Sequence, residues 1–378
     1  MVDTAPSRRA RLRDRGAPAR ATTHSVRYKG LMDEPPARSF DGSMLRDAMV
    51  RRLYRRSMAE GQITVPAVPG MLDEYVQLCS NICASLGVSY TPEQSVQLRT
   101  VLDAELAKAF KASQRSDVVI SFQVPFGTGL NYRVKAEWRT VEADYDHWVA
   151  TRPPPLFGTE PDARVVALAG EAADPATCRV LDIGAGTGRN ALALARRGYP
   201  VDAVEMAPKF AEVMRSEAER ESLGVRVMES DVFTAMEGVR DEYQLMVLSE
   251  VVPDFRTARE LRGVFELAAD CLAPGGRLVF NVFLARRGYT PDHTARELGQ
   301  QCNTMMFTRD EVRAAAAGLP LELVADDSAY EYEKAHLPEG AWPPTGWFEG
   351  WASGLDVFDV AREDSPIELR WLVYRKSG

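Results

Sequence analysis

The run Val180-Leu181-Asp182-Ile183-Gly184-Ala185-Gly186-Thr187-Gly188-Arg189-Asn190 constrains the fold of this chain more than any other segment. Its first residues read as a buried strand, the glycines as a tight turn, and residues 189–197 as a helix closed by Gly198. Alternating glycines let the backbone bend sharply and bring a ligand close, because no Cβ stands in the way. The first turn of the following helix offers N–H groups to a negatively charged ligand group. Such a unit belongs to an α/β sheet and outlines a nucleotide-type cofactor site. A purely structural tight turn is the bland alternative.

Spacing narrows the cofactor. A dinucleotide loop reads G-x-G-x-x-G. Here the third glycine arrives one residue early, as Gly184, Gly186 and Gly188, and Asp182 precedes the first. A second apolar run, Val201 to Met206, ends in Glu205. Together these features resemble motif I and the second strand of class I S-adenosylmethionine (SAM)-dependent methyltransferases, whereas the glycine spacing disfavours a nicotinamide site. That resemblance covers residues 145–378 and implies a Rossmann-like, seven-stranded α/β sheet.

It also implies a set of cofactor contacts: Asp182, Gly184, Ala185, Gly186, Gly188, Asn190, Glu205, Met206, Asp231, Val232 and Ser249. Glu205 would accept both ribose hydroxyls, Asp231 the adenine amino group, and Val232 or Phe233 would touch the adenine face. Leu272-Ala273-Pro274-Gly275-Gly276 looks like the family's turn before the fifth strand. The fourth strand ends Leu248-Ser249-Glu250-Val251-Val252-Pro253-Asp254, where the family's strand tip faces the methyl group. It lacks the Asn-Pro-Pro-Tyr pattern of amino-methylating nucleic-acid and glutamine enzymes, and is closer to small-molecule methyltransferases of the tellurite-resistance type, with which Gly188-Arg189-Asn190 agrees. Glu250 is a candidate catalytic residue, with capping of the next helix as its structural alternative. Tyr145 and His147 are further candidates, because Tyr145–Trp148 and Pro153–Gly158 sit where such enzymes cover SAM. A base is needed only when the acceptor must first lose a proton.

Composition bounds the remainder. In 378 residues, 45% are hydrophobic and 26% charged, ordinary values for a globular protein. No apolar run is long enough to span a membrane, and the N-terminus lacks the apolar core of a secretory signal, so a cytoplasmic location without membrane association is expected. The five cysteines have no C-x-x-C spacing; reduced thiols and no metal site follow. Residues 1–60 hold 14 Lys or Arg against 7 Asp or Glu. Without interleaved aromatics this reads as a solvated basic tail over 1–40, and no nucleic-acid partner is expected.

Residues 41–140 are expected to form an accessory unit, mainly helical, with helices near 43–60, 71–86 and from 92, and one hairpin at 118–138. From about 141 onward, strands and helices alternate as for a parallel sheet covered on both faces. Strands at 320–332 and 367–375 should close it as an antiparallel hairpin. The insertion from Tyr330 to Ser365 reads as a long loop holding Trp342, Trp347 and Trp351, serving either as a substrate lid or as the contact of a homodimer. The expected function is methyl transfer to a small-molecule acceptor through N, O or S. The alternatives are a protein or peptide methyltransferase and a non-catalytic SAM-binding regulatory protein.

Overall fold

The structure, a computed structural model, describes residues 42–56, 58–125, 131–138, 151, 155–231, 233 and 239–378. The chain divides into two units, Met1–Tyr54 and Arg55–Gly378. The described part of the first is residues 42–54 of helix α1 (Gly42–Arg56), where the Leu45, Val50 and Leu53 side chains are exposed.

The helix expected to reach residue 60 ends at Arg56, and Met58–Pro66 is strand β1. Ile63 and Val65 explain the difference. They alternate with exposed Gln62 and Thr64, a period of two that buries one face of a strand. Helices α2 (Leu72–Ser85) and α3 (Pro92–Ala112) follow, then strands β2 (Asp117–Pro125) and β3 (Asn131–Glu137). Helix α3 starts with the anticipated capping box, in which Thr91 and Gln94 each bond the other's backbone. β1, β2 and β3 form one antiparallel sheet, with Ile63 opposite Ile120. Its apolar face packs on Leu98, Leu102 and Leu106 of α3 and on Cys79 and Cys83 of α2. The hairpin anticipated at 118–138 therefore has a third strand beside it.

The larger sheet begins after helix α4 (Ala163–Ala169). Strand β4 (Val180–Ile183) leads to α5 (Arg189–Arg196), β5 (Val201–Glu205) to α6 (Pro208–Arg220), and β6 (Val225–Glu229) to β7 (Tyr243–Leu248). Helix α7 (Ala258–Cys271) then runs into β8 (Leu272–Ala285). Helix α8 (His293–Gln301), the two-residue strand β9 (Met306–Phe307), α9 (Arg309–Ala316) and β10 (Leu321–Ser328) come next. Helices α10 (Ala329–His336), α11 (Phe348–Ala352) and α12 (Leu355–Phe358) precede the final strand, β11 (Ile367–Lys376). The strand order is β10-β11-β8-β7-β4-β5-β6, with β9 paired to β8. Only the β10–β11 and β11–β8 pairings are antiparallel, so the expected Rossmann-like sheet and its closing hairpin are present.

Successive side chains of each strand enter opposite cores. Val180, Leu245 and Val279 join one face with α4, α5, α6, α10 and α11, while Leu181, Met246 and Phe280 join the other with α7 and α9. Burial on both faces is why these strands read as continuous apolar runs.

Three expectations need correction. β10 stops at Ser328, whose hydroxyl accepts the N–H of Glu331 and starts α10, so the strand does not reach residue 332. The 330–365 insertion is not a long loop, because it carries three helices. Tyr330, Phe348 and Trp351 sink into the core, which gives those helices the packing that a solvated loop lacks. The Pro-Gly-Gly segment lies inside β8 rather than before it, with Gly275 at φ +78°. Helix α8 was not anticipated. Its inner face is polar, with Glu297 and Gln300 buried, so no apolar stripe announces it.

Candidate active site

A cavity of about 710 Å3 lies beyond the C-terminal ends of β4, β5 and β7. β4 stands between β5 and β7, the point where the strand order reverses and ligands of open α/β sheets bind.

Gly184, Gly186 and Gly188 all have positive φ, at +69°, +56° and +93°. A Cβ on Gly184 would stand 2.3 Å from Val251 Cγ2, and one on Gly188 would stand 2.7 Å from Leu192 Cγ. Gly184, Ala185 and Gly186 line the cavity, whereas Gly188 forms the left-handed start of α5. The loop is tied to the tip of β5. Glu205 Oε2 accepts the Gly186 N–H at 2.8 Å and Oε1 accepts the Ala207 N–H at 2.7 Å. Burial raises the Glu205 carboxyl above its usual range, against the pull of those N–H groups.

Asp182 is 2% exposed, and its Oδ2 has no hydrogen-bond partner among the described residues. Burial pushes it up to about 7, with nearby Asp162 adding to the rise and Arg189 opposing it. Arg189, the first residue of α5, gathers the surrounding acids. It pairs with Asp162 at 3.0 Å and with Glu250 at 2.7 Å, and donates to Ser249 Oγ at 3.2 Å. Asn190 exchanges two hydrogen bonds with Asp162. Glu250 has φ +61°, and its N–H is held by Asn281 Oδ1 at 2.8 Å. A non-glycine residue in that region is strained and is kept there by its surroundings. Burial raises Glu250, and Arg189 opposes the rise. Asp162 and Glu250 thus pair with the buried Arg189, and Asp182, Glu205 and Glu250 line the cavity beside it, an excess of carboxylates that favours a cationic ligand.

Met206, Asp231, Phe157, Phe210 and Phe233 continue the lining at that end. Phe157 meets Phe210 edge to face at 5.3 Å, and Asp231 accepts the Phe233 N–H at 2.8 Å. The rest of the lining is built from segments distant in sequence: Gln114 and Arg115 after α3, Asp254 and Phe255 after β7, Cys302 and Asn303 after α8, and Trp347 and Trp351 of the insertion. Trp351 is fixed edge-on against Phe283 at 5.1 Å and donates its indole N–H to the Asn303 carbonyl at 3.0 Å.

A family model described as a methyltransferase domain matches residues 180–276. The malonyl-[acyl-carrier protein] O-methyltransferase of Geobacter sulfurreducens is 31% identical over 216 residues, covering 53% of this chain and 74% of that protein. The chain belongs to the class I SAM-dependent methyltransferases. A second relative of this methyltransferase, the ubiquinone biosynthesis O-methyltransferase of Xanthomonas axonopodis pv. citri, is 34% identical over 121 residues. That match covers 31% of this chain and 46% of the relative, so the chain spans about half of its length. The geranyl diphosphate C-methyltransferase of Streptomyces coelicolor A3(2), solved with Mg2+, geranyl diphosphate and S-adenosyl-L-homocysteine, is 16% identical with a TM-score of 0.41, covering 57% of this chain and 80% of that one. The cofactor of the family is SAM.

The methyltransferase brings Asp182, Gly184, Ala185, Gly186, Asn190, Glu205, Met206, Asp231, Ser249 and Glu250 to one cavity. Gly188 stands behind it, and Tyr145, His147 and Val232 lie outside the described residues. Sequence reasoning did not single out Asp162, Arg115, Asp254 or Asn303 as site residues. Asp254 belongs to the strand-tip segment Leu248–Asp254, but nothing local marks the other three. Among the described residues, no group of His, Cys, Asp and Glu is arranged to hold a metal ion, and no helix is long and apolar enough to cross a membrane.

Proposed function

We propose that the protein transfers the methyl group of SAM to a hydroxyl oxygen of a small molecule bound between Asp254 and Trp347. The observation that carries this reading is the single cavity that joins the glycine loop to the aromatic end. Its volume of about 710 Å3 is in the range of small-molecule sites, about 300–1,000 Å3. Both relatives are named as O-methyltransferases, which favours oxygen over nitrogen or sulfur.

The residues fit SAM. Asp182 Oδ2, buried and unpartnered, suits an ammonium, and the excess of carboxylates over guanidinium suits a ligand with a sulfonium centre. Glu205 would hold the ribose diol beside the Gly186 N–H, and Asp231 and Phe233 would take the adenine. The bound sulfonium supplies an activated methyl electrophile. This chain's own task is then alignment, since fixing a nucleophile in line with the reacting bond removes much of the barrier. In this reading residues 141–378 form the SAM domain and residues 41–140 an accessory unit that completes the acceptor end through Gln114 and Arg115. The five thiols stay reduced in a cytoplasmic protein.

Incubation with radiolabelled SAM and a fractionated cell extract tests the proposal. Label should appear in the small-molecule fraction. Label only in macromolecules would favour a protein or peptide acceptor, and SAM binding without any transfer would favour a regulatory role.

A further inference from the structure

Asp254 is held from three sides. It ends the short 3-10 turn Val252–Asp254 that follows β7. Its carbonyl accepts Gln114 Nε2 at 3.2 Å, and its Oδ1 accepts both Arg115 Nη2 at 3.2 Å and Asn303 Nδ2 at 2.7 Å. Both side-chain bonds fall on the same oxygen, so among the described residues Oδ2 has no partner, and Asp254 lines the cavity. The side chain keeps 27% exposure, while that of Arg115 has 7%. Glu250 is placed differently. Its Oε1 bonds Arg189, which Asp162 shares, and its side chain is the more buried of the two at 14% exposure. Among the other acids of this end, Glu260 accepts the Thr257 N–H in the capping box of α7. Burial lifts the Asp254 carboxyl above its usual range, while Arg115 and Asn303 pull it down. The result is a fixed carboxylate, more basic than one in water and open on one oxygen, which are the requirements of a general base.

We infer that Asp254 is the catalytic base of the reaction, its Oδ2 taking the acceptor's hydroxyl proton, with Arg115 and Asn303 as positioning residues. The inference rests on the hydroxyl acceptor proposed above. The acceptor O–H bond breaks and its proton passes to Oδ2. The oxygen electron pair forms the new bond to the methyl carbon, and the pair of the broken C–S bond stays on sulfur as a neutral thioether. The positive charge of the sulfonium is matched by the proton delivered to Asp254, which later returns to solvent. A carboxylate acceptor would face Asp254 as a like charge, so the same residue selects hydroxyl-bearing molecules. Arg115 comes from the segment between α3 and β2, which makes the accessory part of the chain a contributor to the chemistry.

Among the described residues, the charged groups that act on Asp254 are Arg115 from that segment and Glu250 from its own; Asn303, on the third side, is neutral, and Asp356 beside Cys302 lines the same cavity. The test measures label transfer from radiolabelled SAM into the small-molecule fraction, between about pH 5 and pH 9, for the wild type, Asp254→Asn and Arg115→Gln. Asp254→Asn should slow transfer by about 10²–10⁴-fold while calorimetric SAM affinity stays within about twofold. Arg115→Gln removes a positive neighbour, so the Asp254 carboxyl rises and the acid limb of the rate profile moves to higher pH. Wild-type transfer rates in Asp254→Asn, an unmoved acid limb in Arg115→Gln, or loss of SAM binding in Asp254→Asn would each overturn the role. Absence of transfer by the wild type would overturn the hydroxyl-transfer reading itself and is seen separately.

Discussion

Replacing Gly184 with alanine strains the chain in two separable ways. The first is backbone conformation: φ is +69°, a region that costs an L-residue about 1–2 kcal/mol. The second is contact. The added Cβ would stand 2.3 Å from Val251 Cγ2, and relieving such overpacking costs about 1–3 kcal/mol. Gly184→Ala is therefore expected to lose about 2–5 kcal/mol of stability. Val251 lies between Glu250, itself at φ +61°, and the turn that carries Asp254, so any relief by moving Val251 displaces the acceptor end of the site. SAM affinity and transfer should both fall. The second variant, Val251→Ala, removes the clashing methyl group. In the double variant the contact part, about 1–3 kcal/mol, should be recovered as a coupling energy while the backbone part remains. Urea denaturation of the four proteins with a common m-value measures it, and calorimetry follows SAM. If the double variant is no more stable than the sum of the two single changes, the loop and the strand-tip segment do not press on each other as described.

Other consequences follow from the same contacts. Glu205→Gln keeps the shape but only one accepting oxygen for the Gly186 and Ala207 N–H groups, and should weaken SAM binding by about 10–100-fold in calorimetry; unchanged affinity in a folded protein would remove Glu205 from the site. Asp182 has a folded-state pKa raised to about 7 from 3.8 by burial. Its neutral form is favoured on folding, so this contribution is fully present below about pH 4 and is lost as pH rises through about 7. Asp182→Asn should accordingly match the wild type near pH 4 and exceed it above pH 7 by up to about 4 kcal/mol, read from urea midpoints; a difference that does not vary with pH would contradict the assignment. Trp351→Ala removes a buried ring and should cost about 3–5 kcal/mol. Half-buried Trp347→Ala should cost about 1–2 kcal/mol and act mainly on the acceptor KM; equal thermal shifts for the two would refute the division of labour.

The cofactor end was legible because its chemistry is local. A glycine spacing, an acid before it and an acid at the next strand end are read within a few residues of each other, and positive φ at Gly184, Gly186 and Gly188 is a property of the loop itself. The alternation of apolar runs likewise announces the sheet, since burial on both faces leaves no polar stripe to obscure it. β1 is hidden in the sequence because α1 precedes it almost without a break, and its short buried pattern, Ile63 and Val65, does not outweigh an Arg-rich helical run. Pro338, Pro343, Pro344, Gly340 and Gly346 hide the insertion's helices in the sequence, and burial of Tyr330, Phe348 and Trp351 makes them stable.

The acceptor end is another matter. Arg115 and Asp254 stand 139 residues apart in sequence, and Asn303 a further 49 beyond Asp254. No periodicity or local propensity carries that information, because such pairs exist only after the segment following α3, the β7 tip and the α8 loop have docked. The amino-acid sequence by itself determined the sheet, its glycine loop and the cofactor that the loop suits, all consequences of short-range sterics and hydrophobic alternation. Tertiary structure alone decided which guanidinium each carboxylate meets, Arg189 for Glu250 and Arg115 for Asp254, since burial and charge pairing are set by neighbours that the chain brings together from far away.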